Sequence, residues 1–447
     1  MTTSIMWFRR DLRLSDNPAL VQAASNADEV VALFVLDDAL RNPSGPNRLA
    51  FLYSNLEDLN DRIDGHLVVR SGNPAEAVAS VAREVDASQV FCAEDFGPYG
   101  RERDDEVEAA LAKDSRTLER VDSNYAVEPG SVTKDNGEPF KVFTPFSRAW
   151  ERHGWGDPVR APKSVKWAKL KSEGVPAAPD ITAELPKPGE AVAMRRARKF
   201  VDERVGKYDQ ARDFPARNAT SRLSPYLKYG LIHPRQVLAL LGRSKPEAVF
   251  RSELCWREFY ADVLFHNPSS RDHALNESMK KMQLDTGKTA DKRFDAWAAG
   301  KTGYPIVDAG MRQLVGEAYV HNRLRMVVAS FLVKDLHVDW TRGARYFLHH
   351  LVDGDLASNN HGWQWVAGTG TDAAPYFRIF NPVTQGKRFD PDGEFIRKWV
   401  PELKGLDNKL IHEPWLAKDG IPEGYVERIV DHGEERKESL RRYQALR

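Results

Sequence analysis

Residues 4–35 read SIMWFRRDLRLSDNPALVQAASNADEVVALFV. A short β-rich run, Ser4–Phe8, is followed by an amphipathic segment, Pro18–Ser25, and then by a second β-rich run, Val30–Val35. That order is strand, helix, strand. Further along, His66–Arg70, Gln89–Ala93 and Thr117–Val121 read as strands, with Asn47–Ile63, Pro74–Val85 and Arg101–Ala112 as helices between them. The alternation predicts an α/β domain with a doubly wound, Rossmann-like parallel sheet, whose ligands sit beyond the C-terminal ends of the strands. Neither G-x-G-x-x-G nor a P-loop occurs, so the usual nucleotide-phosphate cradles are excluded.

After about Ala126 the texture changes to scattered Gly and Pro, the motif KVFTPFSRAW (141–150) and a Lys- and Pro-rich stretch. A long connection with little regular structure after Trp150 is expected there. From Glu190 onward strand signals nearly vanish. Ala191–Lys207, Pro234–Leu241, Ala248–Phe265, Gly303–Gly316, Arg323–Leu336, Arg342–Leu351 and Glu423–Gln444 carry helical periodicity. The expected organisation is an α/β domain over 1–130, a connection over 131–189 and an all-α domain over 190–447.

A chain of 447 residues is too long for one compact core. Hydrophobic residues make up 41% and charged residues 29%, and the longest apolar stretch, Met326–Val333, is far short of a membrane span. The opening SIMWFRRDLRL places charges where a secretory signal needs apolar residues. Cys92 and Cys255 lie far apart, with no metal or redox spacing. A cytoplasmic monomer with no membrane partner and no metal is expected. The net charge of zero hides an asymmetry: residues 1–130 hold 13 Lys and Arg against 24 Asp and Glu, whereas the remainder holds 52 against 41. Ten of the eleven Trp belong to that cationic remainder, the pairing of charge and aromatic faces that nucleic-acid binders use.

Polar chemistry is densest in residues 353–382, DGDLASNNHGWQWVAGTGTDAAPYFRIFNP. On a helix Trp363 and Trp365 point about 200° apart and must serve different neighbours. Asp353, Asp355 and Asn359 are close enough to share a pocket, although for any one of them a helix cap is an equally good reading. Elsewhere, Tyr208 and the run Thr220-Ser221-Arg222-Leu223-Ser224 supply hydroxyls suited to phosphate oxygens or to a helix cap. Glu253, Trp256 and Arg257 share one helix face, which could hold paired pyrimidines or form a core Trp beside a surface ion pair. His321-Asn322-Arg323-Leu324-Arg325-Met326 offers two Arg, one to reach a phosphate while the other faces inward.

The 353–382 stretch, with FRRDLRLSDNPAL near the N-terminus and DFGPYGRERD (95–104), resembles the DNA photolyase/cryptochrome family over essentially the whole chain. The resemblance is strongest to class I cyclobutane pyrimidine dimer photolyases with a deazaflavin antenna. It implies light-driven repair by electron transfer from reduced FAD to a flipped-out lesion in single- or double-stranded DNA. FAD contacts fall on Tyr208, Thr220, Ser221, Leu223, Ser224, Arg257, Asn322, Arg325, Asp353, Asp355 and Asn359, with Asn359 beside the flavin N5. Lesion contacts fall on Glu253, Trp256, Met326 and Trp365, with Glu253 also stabilising the reacting pyrimidine. DNA-backbone contacts fall on Arg212, Arg323 and Arg378. Trp363 and Trp340 match the first two members of a three-Trp electron path, and Gly287, in a Gly- and Lys-rich loop, stands where the third is expected. The antenna implied is 8-hydroxy-5-deazaflavin rather than methenyltetrahydrofolate, held by Arg48, Asp95, Arg103 and Lys228. Gly97 departs from that subset, which often has Glu there. A cryptochrome photoreceptor and a (6-4) photolyase are the alternatives. The chain stops soon after its last helix, and Met326 stands where the second has His, so both are disfavoured.

Overall fold

The computed structural model describes residues 1–371 and 377–446. Residues 372–376, within the motif GTGTDAAPYFRIFNP, lie outside them. Five parallel strands form the sheet: β1 (Thr3–Phe8), β2 (Glu29–Asp37), β3 (Leu67–Gly72), β4 (Gln89–Glu94) and β5 (Thr117–Ser123), in the order β3-β2-β1-β4-β5. β2, EVVALFVLD, is buried at all but its first residue, as a central strand covered on both faces must be. The helices that cover the sheet start with Pro at a first-turn position where no N–H is needed: Pro18–Asn26, Pro46–Arg62, Pro74–Glu84 and Pro98–Ala112. Asn17 and Asn73 cap two of them through their side-chain oxygens.

Strand order reverses beside β1, so the crevice between the ends of β1 and β4 is the switch point where α/β sheets bind ligands. Here it is nearly filled. Arg9 pairs with Asp104 and donates to the Ala93 carbonyl, leaving about 10 Å³ among Arg9, Arg10, Asp95 and Tyr125.

Packing divides the chain into two compact units. The first comprises residues 1–181, 186–206 and 221–268; the second comprises 182–185, 207–220 and 269–447. The expected connection forms one helix, Phe143–His153, and then runs without regular elements to residue 189. It is held on the first unit where Val30 N–H donates to Lys166 O (2.9 Å) and Ala168 N–H to Val30 O (2.8 Å). Helix Lys245–His266 belongs to this unit, because the buried Glu258 carboxylate accepts from the N–H groups of Ala126 (2.6 Å) and Val127 (3.1 Å) and from Trp150 Nε1 (2.5 Å).

The second unit is helical around a core that includes Trp297, Leu324, Val328, Phe347 and Trp363. Three expectations need correction. The helix expected over Glu423–Gln444 begins only at His432, because Gly424 adopts φ +85° and Asp431 caps the later start through its carboxylate. The expected loop around Gly287 instead opens a helix, Gly287–Ala298. The segment Arg323–Leu336 also splits: an α-helix over Asn322–Ser330 continues as a π-turn over Phe331–Asp335.

Candidate functional site

In the second unit, helix Leu356–Ala367 carries three of the expected residues. Asp355 caps it, its Oδ1 accepting from the Ser358 N–H at 3.0 Å, so the capping reading holds for this residue. Asp353 instead takes both oxygens to Arg325 Nη2, at 3.0 and 2.8 Å, while Arg325 Nε donates to the Val320 carbonyl. Neither Arg of the pair is fully buried: the Arg323 side chain is 19% exposed and the Arg325 side chain 27%, and each is held by a carboxylate. Arg323 is held by Asp213 at 3.0 Å and lies over the Phe389 ring, a partnership that local spacing does not reveal.

Asn359 is buried, and its amide donates to Ala344 O (3.0 Å) and to Asn360 Oδ1 (2.8 Å). A backbone carbonyl accepts only from a donor, so this contact fixes which end of the carboxamide is nitrogen. The Asn359 oxygen is left to accept. That uncharged acceptor fits a flavin, whose N5–H in the reduced form is a donor. Nearby, burial pushes the His361 imidazole down to about 4, so it is neutral, 3.3 Å from Ser270 Oγ.

Trp363 and Trp365 diverge as their spacing requires. Trp363 is buried against Phe347 and Trp297, with ring centres 5.1 and 6.0 Å away. A Cβ on Gly343 would fall 2.2 Å from its ring, so Gly343 is the seat of this indole. Trp365 is half-buried beneath the Arg378 guanidinium, 5.1 Å from the ring centre. Both line a cavity of about 320 Å³ with Lys334, Phe377 and Tyr443. Trp340 is buried without an aromatic ring against it among the described residues. Arg212 lies over the buried Tyr208 ring at 5.2 Å, Asn322 is exposed at its helix start, Met326 is half-buried and Thr220 falls in the same unit.

In the first unit, Trp256 is half-buried with one ring face stacked on Phe143 at 3.6 Å and 7°, a pairing the sequence did not suggest. Arg257, on the same helix as Glu253, donates to the carbonyls of Asn124 (3.0 Å) and Leu227 (3.5 Å). Ser221 Oγ accepts from the buried Leu223 N–H at 3.3 Å, closing a turn with Arg222 at φ +51°; Ser224 begins the short helix that follows.

The four expected antenna residues all belong to the first unit. Arg103 pairs with Asp95 (3.4 Å) and Asp104 (2.7 Å). Burial would raise the Asp95 carboxyl, but Arg103, Arg10 and Arg9 together hold it down to about 2. Tyr229 links the other two, donating to Arg48 O at 3.0 Å and lying 5.8 Å from Lys228 Nζ. Among the described residues no acceptor meets the buried Arg48 Nε, and burial pushes its guanidinium down. An orphaned donor of this kind fits a polar ligand atom.

Residues 4–163 match the family described as DNA photolyase, and residues 250–445 match the FAD binding domain of DNA photolyase. The chain is 41% identical to the deoxyribodipyrimidine photo-lyase of Escherichia coli K12, covering 100% of this chain and 99% of that one. Among solved structures it resembles a class III photolyase from Agrobacterium tumefaciens (TM-score 0.94, 37% identity, 100% of this chain and 98% of that one). It also resembles an archaeal photolyase from Sulfolobus tokodaii with two FAD molecules (TM-score 0.89, 31% identity, 99% and 100%). Full-length identity to these relatives, with the flavin-compatible Asn359 and the Trp-bearing helix in place, places the chain in the DNA photolyase/cryptochrome family.

Proposed function

We propose that this protein repairs cyclobutane pyrimidine dimers in DNA with the energy of blue light, as a deoxyribodipyrimidine photo-lyase. The observation that carries the reading is helix Leu356–Ala367, which carries a buried carboxamide at Asn359 whose nitrogen is engaged by Ala344 and Asn360, a buried indole at Trp363 and a half-buried indole under Arg378 at Trp365. FAD supplies, when bound and reduced, the electron that opens the dimer. The Asn359 oxygen accepts from the flavin ring; the Arg325/Asp353 pair, fixed by the Val320 carbonyl, braces the same pocket. Tyr208, Thr220, Asn322 and Asp355 complete the set that the family resemblance assigns in this unit.

Trp365 offers an aromatic face to a base taken out of the stack, worth roughly 1–3 kcal/mol per stacked base. Extrusion itself costs a few kcal/mol, less for a damaged base. Trp256, half-buried, stacked on Phe143 and flanked by Tyr260 with ring centres 5.4 Å apart, is the second aromatic surface for the lesion, and Glu253 lies one helical turn from it. Arg212, Arg323 and Arg378 contact the DNA backbone; Arg323 must then exchange or share its Asp213 partner. The antenna is 8-hydroxy-5-deazaflavin, with Arg48 donating to it from its unsatisfied Nε. The family resemblance assigns residues 1–130 to the antenna and 190–447 to catalysis, although packing groups 186–206 and 221–268 with the first unit.

The substrate assignment is tested with two oligonucleotides, one bearing a thymine cyclobutane dimer and one a (6-4) photoproduct. Light-dependent restoration of the first alone is expected. Restoration of the second instead would overturn it.

A further inference from the structure

A lysine sits among the most buried side chains of the second unit. Lys334 is 2% exposed within the π-turn Phe331–Asp335, an element that recurs at functional positions because it redirects side chains within a helix. A buried ammonium needs strong partners. Its Nζ donates to the backbone carbonyl of Arg378 and lies 4.0 Å from the centre of the Phe377 ring. Phe377 is stacked in turn on Tyr443 of the C-terminal helix at 4.4 Å and 8°. One helical turn before Lys334, the buried Ser330 Oγ accepts from the Phe380 N–H at 3.3 Å. Residues 377–380 are thus stitched at two points to a single helix, and the side chain of the residue whose carbonyl is held is the guanidinium over Trp365. The neighbouring Asp335 is tied to His432, which anchors the π-turn from the C-terminal side.

We propose that Lys334 is a positioning residue for DNA binding: its ammonium fixes the Phe377–Arg378 backbone so that the Arg378 guanidinium stays poised beside the Trp365 ring. This rests on the reading of Arg378 and Trp365 as DNA contacts. In this proposal Lys334 acts through the segment it holds rather than as a DNA contact of its own. A charge-assisted hydrogen bond and a desolvated cation–π contact together are strong enough that their loss lowers affinity on the order of tenfold.

The test uses the FAD-loaded protein in the dark and a single-stranded thymine oligomer carrying one dimer, titrated at several salt concentrations. Lys334→Met preserves length and burial; Phe377→Leu removes the ring while keeping the carbonyl acceptor, and guards against a fold lost in the first variant. Flavin absorbance and melting temperature are followed alongside. Lys334→Met is expected to weaken binding about tenfold and to flatten the slope of log K against log salt by about 0.7, the signature of one lost single-strand phosphate contact. A merely destabilised protein would lose melting temperature without changing that slope. In an Arg378→Ala background Lys334→Met is expected to add less than about twofold, because both changes remove the same contact. Unchanged binding by Arg378→Ala would overturn the DNA-contact reading, and the proposal with it. Weakened binding by Arg378→Ala beside unchanged Lys334→Met, or independent losses that multiply in the double variant, would overturn the proposal alone.

Discussion

Replacing Asn359 by Asp changes one atom and inverts the local hydrogen bonding. The amide gives two bonds, to Ala344 O at 3.0 Å and to Asn360 Oδ1 at 2.8 Å, from a buried position. An ionised carboxylate gives neither and sets an oxygen against two acceptors. Two lost bonds at about 1 kcal/mol each, plus about 1–3 kcal/mol for acceptors left facing a charge, put the loss near 3–5 kcal/mol. Protonation of the new carboxyl returns one donor, so its pKa in the folded protein is raised above the usual carboxylate range. A raised folded-state pKa means the folded state holds the proton longer than the unfolded chain, so the variant loses stability as pH rises. Thermal unfolding of wild type and variant at about pH 5 and about pH 8 is expected to show a deficit that is wider at the higher pH. The same variant, with FAD bound, is expected to have a lower flavin midpoint potential, because a negative charge then lies beside the reduced ring. Equal stability at both pH values would refute the hydrogen-bond argument. A stability loss with an unchanged potential would refute the placement of Asn359 at the flavin.

Trp256→Ala is expected to weaken binding of dimer-containing DNA by roughly 1–3 kcal/mol with FAD still bound; loss of FAD would show that the ring serves the fold instead. Photoreduction of oxidised FAD is expected to be slow, because Gly287 occupies the outer position of the expected electron path beyond Trp340. Gly287→Trp has open space for its Cβ, although φ +70° strains any side chain there, and it is expected to speed photoreduction while repair by chemically reduced protein is unchanged. Fast photoreduction in the wild type that survives Trp340→Phe would refute that path. Burial raises the Glu258 carboxyl to about 7 against the opposing pull of Trp150, Arg257 and two backbone N–H groups. The folded state therefore keeps this proton above the ordinary carboxylate range, so the stability of the first unit is expected to fall as pH rises towards about 7 and to flatten beyond. Glu258→Gln is expected to remove that slope, which unfolding measured across this pH range would show; a slope that persists would assign it to another group.

β1, β2 and β4 were legible to within a few residues because each carries an apolar run between turn residues, β3 and β5 mainly through the alternation with helices, and the helices of the α/β part because Pro marks their first turn. The divergence of Trp363 and Trp365 followed from helical geometry alone. The helix start at His432 was not legible, because the apparent periodicity before it is interrupted by Gly424 in a left-handed conformation. Long-range partners were beyond reach for the same reason throughout. Nothing in HNRLRM announces that Arg323 meets Asp213, and nothing in FLVKDL announces that Lys334 meets a carbonyl 44 residues away. What the sequence does carry is a Lys-Asp pair at the end of the apolar stretch Met326–Val333, within a segment of helical periodicity.

The central claim is tested most directly by exposing dimer-containing oligothymidylate to the reduced, FAD-loaded protein under blue light, with an identical sample kept in the dark, and measuring intact thymine by chromatography. Recovery of intact thymine in the light and none in the dark is the predicted result. Equal recovery in light and dark, or tight binding of the damaged strand with no recovery under either condition, would contradict the assignment as a light-driven dimer lyase.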